Sequence, residues 1–568
     1  MKLKLKLEWL AELKKNGGSA IDDYGYRKPE DYASFDTDRF TDGDLKKLDA
    51  IVAALDKTVP GVRGLRTKIK QYWQIKADPA GTIVSKLDTL ALALRDYIAA
   101  SAHKWLFEDH ADGQQVAWHV CKIEYAPPTD RGNPAVTSMY LAAMTGRERS
   151  DRTVNWFTGD LGKSTAALLS ERGYTLETPE AVDTHRKECR RYQEICDKTG
   201  EQFLASGQAR VRRSYYDDGM VSMEVDGLAT RVVMDDAEDV DDDERTALSG
   251  RRKENLSSAV VSVDFWTPGQ KGRFKEEDDE TAVAVLPLQP YVTMYNLSKY
   301  CFLFAHVNNV TEYTYDVGII DKLVLEKEKK DLVSILVAGA DTQLDDIVKG
   351  KTGGIIVICT GRPGLGKTLT AEAFSEEMKR PLYCVQCSQL GTSEEVLEKK
   401  LNVVLSRATR WRAILLIDEA DVYIHERGND IQQNAIVGVF LRVLEYYRGV
   451  LFMTSNRETI VDDAIMSRAT AWIQYTYPDK ERLRHIWSVL AAQYGVPVGP
   501  DLLRSLVAHP TLGSNISGRT VKSLLKLARL LSLRSEQKID LRLFEYVSQF
   551  LDLDGKNRKS KVVRDDCS

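Results

Sequence analysis

Long apolar runs are missing from this chain, and that lack narrows what it can be. The strongest, Ile355 to Cys359 and Ala413 to Ile417, fall far short of the ~18 residues a membrane helix needs, so no membrane span is expected. The opening "MKLKLKLEWL" lacks the unbroken apolar core and small-residue cleavage site of a signal peptide. It reads as an edge strand or an amphipathic start, and a cytoplasmic location is the expectation. Neither sign of charge is in real excess: 79 basic against 84 acidic residues leave a net charge of -5, which gives no global drive toward nucleic acid. Cysteine is sparse, eight in 568 residues. The one suggestive pair is Cys384 and Cys387 in "CVQC"; on a strand, their separation would put them on opposite faces. No second CxxC follows, and His103, His110, His119 and Cys121 match no metal-ligand spacing, so the cysteines read as reduced packing residues.

What is present falls into blocks. Residues 1–110 read as a helical domain, because "DGDLKKLDAIVAALDK" and "IVSKLDTLALALRDYIAA" carry apolar residues at intervals of three and four. From 111 to 315 the rhythm turns toward two, with a helical insertion at "TPEAVDTHRKECRRYQEICDKTGEQFLA". Asp218-Gly219 and Asp226-Gly227 predict hairpin turns in a meander over about Ala209 to Met234. The acidic run Asp235 to Glu244 reads as a solvated loop, or else as a docking surface for a basic partner. Over 316–478 the short apolar runs "IIVICT", "LYCVQC", "AILLID", "VLFMTS" and "AWIQYTY" alternate with helical stretches, which predicts a parallel sheet covered on both faces. Residues 479–555 read as helical, and 556–568 as a basic disordered tail.

The chemistry lies in the third block, 316–478. "GRPGLGKT", Gly361 to Thr368, follows an apolar strand and opens a helix, the full phosphate-binding loop pattern. Its glycines let backbone N–H groups face phosphate oxygens, Lys367 can reach the β- and γ-phosphates, and the Thr368 hydroxyl can ligate Mg²⁺. Asp418 and Glu419 end the apolar run of "AILLIDEAD", which delivers two carboxylates to the carboxyl edge of the sheet, where ligands bind in open α/β folds. Asp418 suits the Mg²⁺ shell and Glu419 the polarisation of an attacking water. The tetrapeptide from Asp418 to Asp421 also spells a motif of DEAD-box helicases. Those proteins space the two motifs more widely and need a second motor domain, which the helical stretch after Asp421 does not supply.

Asn456 closes "VLFMTSN", Arg468 follows in "DDAIMSRA", and Arg519 begins the helix of "NISGRTVKSLLKLA". With the two earlier motifs, this set resembles the AAA+ ATPases, closest to the classical AAA group, over roughly Tyr315 to Leu553. The resemblance implies a multidomain α/β protein: a P-loop AAA+ module with a five-stranded parallel sheet and a helical lid, preceded by a helical and a β-rich domain. Gly361, Pro363, Gly364, Leu365, Gly366, Lys367, Thr368 and Leu369 would form Walker A, and Asp418 with Glu419 Walker B. Asn456 resembles sensor 1, Arg468 the arginine finger acting in a neighbouring subunit, and Arg519 the sensor 2 arginine. Many classical members carry two arginines in the finger region; here Arg468 is followed by Ala, Thr and Ala, and Arg457 reads as a structural salt-bridge residue or else as a second finger.

ATP and Mg²⁺ are therefore the implied ligands, and a homo-oligomer, usually a hexameric ring, the implied assembly. The leading expectation is ATP-driven remodelling of a protein substrate recruited by the N-terminal regions. The alternatives are a nucleic-acid-dependent or defence-type ATPase, for which "RVRRSYY" and "RRK" at Arg251 could supply basic surface, and an ATP-gated scaffold with slow hydrolysis. In threading members, a loop after the second strand carries an aromatic residue. Here Ser388 to Leu397, "SQLGTSEEVL", has none, and "HERGNDIQQNA" from His425 is polar as well. The stretch from Ser388 reads as a connection into a helix capped by Ser393.

Overall fold

The computed structural model describes residues 2–16, 32–36, 40–54, 65–66, 69, 72–73, 83–109, 114–128, 132–146, 148–214, 217–235, 260–263, 282–339, 354–391, 393–424, 431–456, 461–535 and 537–551. Side chains are not described for 210–228 or for several shorter stretches. His110, Arg251 to Lys253, Asp236 to Glu244, His425 to Asp430, Arg457 and the basic tail lie outside the described residues.

The chain divides into two compact units, 1–199 with 203–312, and 200–202 with 313–568. In the first unit, β1 (Lys2–Lys6) pairs antiparallel with β2 (Tyr32–Asp36), and α1 (Leu7–Lys15) follows β1 directly. Leu5, Trp9, Leu10 and Leu13 bury a small core there with α2 (Asp42–Ala54). The helix α3 (Leu87–Ala99) belongs elsewhere. Its Leu90, Leu94 and Ile98 sink into one core with Leu106, Val120 and Met139 of the following strands. A boundary at residue 110 would therefore cut a single core in two, and the first 110 residues hold strands as well as helices.

Those strands are β3 (Trp105–Asp109), β4 (Gln115–Ala126), β5 (Val136–Thr145), β6 (Glu148–Trp156) and β7 (Tyr174–Leu176). Then comes α4 (Pro179–Cys196), started by Pro179 and by Thr178, whose hydroxyl accepts the Ala181 N–H at 3.2 Å. A second antiparallel sheet takes β8 (Gln202–Ser214), β9 (Asp217–Met234), β10 (Tyr291–Asn296), β11 (Cys301–His306) and β12 (Val310–Glu312), in the order β9-β10-β11-β8-β12. The strand β9 runs straight through both Asp-Gly pairs, so neither makes the expected hairpin turn. The strand β9 pairs with β10 beyond both Asp-Gly pairs, from Val232 opposite Asn296 to Met234 opposite Met294.

In the second unit the apolar runs become β13 (Ile355–Gly361), β14 (Leu382–Gln386), β15 (Ile414–Asp418), β16 (Val450–Ser455) and β17 (Ala471–Tyr475). All their pairings are parallel, in the order β14-β15-β16-β13-β17. Val357, Ile414, Leu416 and Phe452 are buried because helices cover the sheet, which is why these strands read as unbroken apolar runs rather than alternating ones. The covering helices include α5 (Lys367–Glu377) and α6 (Glu394–Arg410). A lid follows from α7 (Lys480–Tyr494), α8 (Pro500–Ala508), α9 (Gly518–Ser535) and α10 (Leu541–Ser548), packed around Trp487, Leu524 and Phe544. The side chain of Asp479 caps α7 by accepting from the Arg482 N–H at 2.8 Å, and Gly495 ends that helix at φ 60°. No helix among the described residues is long and apolar enough to cross a membrane.

Candidate functional site

The strand β13, between β16 and β17 in the sheet, ends in the glycine-rich loop, and the loop's backbone requires its glycines. Gly364 has φ 81°, and a Cβ there would lie 2.8 Å from Arg519 Cβ and 2.9 Å from Ser517 Oγ. The loop thus packs directly on the start of α9, where the Arg519 N–H points to the Gly364 carbonyl at 3.4 Å. Gly366, at φ 101°, opens α5, so the free N–H groups of that helix face the loop's concavity.

Lys367 is buried, and its Nζ donates to Gly361 O at 2.6 Å, Arg362 O at 2.9 Å and Asn456 Oδ1 at 3.0 Å. Burial lowers its pKa, and the nearby Asp418 carboxylate opposes that shift. The Thr368 hydroxyl donates to Asp418 Oδ1 at 3.1 Å, and the same carboxylate oxygen accepts from the Thr454 hydroxyl. Glu419 holds a left-handed backbone, φ 55°. Its N–H is taken by Thr454 Oγ1 at 3.0 Å and its carbonyl by Cys387 Sγ at 3.0 Å. Burial, then the charges of Asp421, Glu419 and Asp418, push the Cys387 thiol up to about 12, so it remains a protonated donor at neutral pH.

A cleft of about 670 Å³ gathers Pro363, Gly364, Leu365, Gly366, Lys367, Thr368 and Leu369 with Asp418, Glu419, Asn456 and Arg519. The α7 face with Ile486, Leu490 and Tyr494 closes its apolar side. One expected residue stands apart: Arg468, exposed after the short helical turn Asp463–Met466, donates to Ala464 O at 3.1 Å and does not line the cleft. Reasoning from motifs missed Thr454, which holds both Asp418 and the Glu419 backbone, and Cys387. The signal for Thr454 was there: it is the first polar residue after the apolar run of β16.

The donor set fits a nucleotide with a hard divalent cation. Thr368 and Asp418 set two oxygens side by side, the ligand type that Mg²⁺ prefers, beneath a loop of free N–H groups and a buried ammonium. Among the described residues, no group of three or more His, Cys, Asp or Glu side chains is placed to hold a transition metal. The expected Ser393 cap forms only in part: Ser393 occupies the position with extended backbone, but its side chain makes no capping hydrogen bond.

A parallel sheet, a glycine loop at its carboxyl edge and a helical lid over that loop define a P-loop nucleotide-binding module. Residues 357–477 match the model of the ATPase family associated with various cellular activities (AAA). The ATP-dependent zinc metalloprotease FtsH of Cupriavidus metallidurans is 27% identical over 261 residues, 40% of this chain and 39% of the relative. FtsH 3 of Sphaerobacter thermophilus is 29% identical over 189 residues, 31% of this chain and 38% of the relative. A solved chain from the E. coli MS115-1 HORMA:CdnC:Trip13 complex aligns at a TM-score of 0.31 and 17% identity, over 40% of this chain and 89% of that one. The AAA domain at 357–477 and the FtsH relatives support membership of the AAA+ ATPase superfamily. The alignments span about two fifths of the FtsH relatives, and the sequence contains no His-Glu-x-x-His, the zinc-protease pattern.

Proposed function

We propose that this chain is a Mg²⁺-dependent ATPase that works in a ring and uses ATP turnover to remodel a protein substrate. The observation that carries the reading is the convergence of Lys367, Thr368, Asp418, Glu419, Asn456 and Arg519 on one cleft. Lys367 would exchange its contacts to Gly361, Arg362 and Asn456 for phosphate oxygens. Thr368 and Asp418 would hold Mg²⁺, which supplies neutralisation of the developing phosphate charge. Glu419 polarises the attacking water, and Asn456, freed from Lys367, orients it. Arg519 links the lid to the γ-phosphate, and the exposed Arg468 reaches the site of a neighbouring copy. The first unit would recruit substrate.

Threading of a polypeptide is not part of the proposal. The connection after β14 is a single helical turn, Cys387–Leu390, then Gly391 at φ 86°; Leu390 is buried, and so is Tyr383 within the strand. Nothing in it offers an exposed aromatic grip.

The experiment is Glu419→Gln, assayed for hydrolysis and ATP binding and imaged in ATP by electron microscopy. Turnover should drop at least ~100-fold while binding and ring assembly persist. Turnover near wild type would remove the catalytic assignment, and a loss of ATP binding would point to a folding defect instead. Partners captured on the trapped ring identify the substrate.

A further inference from the structure

The first unit holds a second cleft, of about 620 Å³, unconnected with the phosphate loop. It lies where the start of β3, the α4 helix and the segment 285–288 meet. Three cations line it, Lys104, Arg186 and Arg190, and among the described residues no aspartate or glutamate does. The rest of the wall is aromatic and apolar, with Trp105 and Leu286 to Leu288.

Its aromatic wall is built as a unit. The Trp105 ring has His103 at 5.0 Å, tilted by 36°, and His185 edge-on at 5.3 Å. Hydrogen bonding fixes His103: Arg186 can only donate to its Nε2, at 3.3 Å, so the ring proton sits on Nδ1 and goes to Glu177 Oε2 at 3.2 Å. The other Glu177 oxygen takes the His103 backbone N–H at 2.6 Å. That clamp orients both the imidazole and the Arg186 guanidinium. The backbone between the two rings is also constrained, since Lys104 adopts φ 58°, a conformation that non-glycine residues rarely take outside sites that need it. Behind them His119 is 2% exposed. Its Nδ1 lies 3.2 Å from the His103 carbonyl and therefore carries the proton, which leaves Nε2 a buried acceptor with no partner among the described residues.

Neither Arg186 nor Arg190 has a carboxylate at ion-pairing distance among the described residues. Beside them, by contrast, Lys187 pairs with Asp183 on the same helix, and Lys198, just past the helix end, pairs with Glu312. Among the described residues, the two guanidiniums at the mouth of this cleft thus stand outside any carboxylate ion pair, while the lysines beside them are paired. A planar ring system at the wall, two forked guanidiniums at the mouth and a volume suited to a small molecule describe one ligand chemistry. We propose that this cleft binds a mononucleotide, with the base against the Trp105–His103 wall and the phosphate on Arg186 and Arg190.

The test is calorimetric titration of the whole chain carrying Lys367→Ala, which weakens the phosphate-loop site, with AMP, GMP, CMP and UMP in turn and with inorganic phosphate. At least one mononucleotide should bind, and Arg190→Glu, at an exposed position, should weaken it at least ~10-fold with the unfolding temperature unchanged. Trp105→Leu should weaken the nucleotide by a similar factor and phosphate much less. The proposal fails if no mononucleotide binds, if Arg190→Glu leaves binding intact, or if phosphate binds as tightly as the nucleotides. Binding of a single-stranded oligonucleotide without any mononucleotide would also overturn it, in favour of a nucleic-acid surface. None of these readouts depends on ATP turnover.

Discussion

The Cys387 thiol donates to the carbonyl of Glu419 across 3.0 Å, and Cys387 is itself tethered, its own carbonyl accepting from the Tyr423 hydroxyl at 3.0 Å. The same hydroxyl lies 3.0 Å from Gly391 O, so the short turn after β14 is pinned to the segment carrying the carboxylate that would polarise water. With Thr454 on its N–H, Glu419 is gripped on both sides of a left-handed backbone. Cys387→Ala should therefore lower kcat by ~3- to 10-fold, the loss of one hydrogen bond, with KM for ATP nearly unchanged. Cys387→Ser keeps a donor and should restore most of the rate. Equal behaviour of the two variants would show that the contact only fills space.

The glycine at 364 is held by two independent requirements, its φ of 81° and its approach to Arg519 and Ser517. Gly364→Ala adds a Cβ that must push the lid away from the loop. ATP binding, followed by a fluorescent analogue, should weaken at least ~10-fold, because both the loop's shape and the lid's seat are disturbed. Gly499→Ala, where a Cβ meets nothing and φ is -71°, is the control and should bind normally.

Why some of this was legible and some not follows from how far each signal reaches along the chain. The phosphate loop spells its chemistry in eight consecutive residues, and β13 to β17 show themselves because burial on both faces leaves no polar alternation. Cys387 gains its role only through register, and Thr454, though marked as the first polar residue after an apolar run, finds its partners the same way. Gln386 pairs with Asp418, so the residue after each strand end meets its neighbour at the same sheet edge. No local pattern encodes that meeting. Asp218-Gly219 and Asp226-Gly227 fail in the opposite direction: a strong local turn signal lies inside β9, a strand whose place is set by tertiary pairing that no dipeptide encodes. The clamp likewise joins His103 to Glu177 and Arg186, 74 and 83 positions away in sequence.

Burial sets a limit on stability at high pH. Tyr475 and Tyr447 are buried phenols whose pKa values burial pushes well up, and Tyr475 shares a 2.6 Å hydrogen bond with Thr370. In the unfolded chain a tyrosine ionises near about 10, whereas these two stay protonated when folded. Below that pH both states hold the protons and nothing changes. Above it the unfolded state binds fewer, so stability falls as pH rises, by up to ~1.4 kcal/mol per pH unit for each group. Urea midpoints measured between pH 8.5 and 11 should decline, and Tyr475→Phe should flatten the slope while costing ~1 kcal/mol at pH 8. A slope unchanged in that variant would mean the phenol ionises freely in the fold.

Arg468 lies outside the cleft of its own chain, with its guanidinium exposed and, among the described residues, held by the Ala464 carbonyl. A role in catalysis then requires a second copy, which makes the assignment separable from all the others. Arg468→Ala and Glu419→Gln should each be nearly inactive alone while still binding ATP. In a mixed ring, a working site needs Glu419 from one subunit and Arg468 from the next. Random 1:1 assembly should restore about a quarter of the wild-type rate per site. If Arg468 acted within its own chain, every subunit would lack one of the two groups and the mixture would stay inactive. A mixture that remains at background, with rings formed, would exclude Arg468 as the group supplied to the neighbouring site.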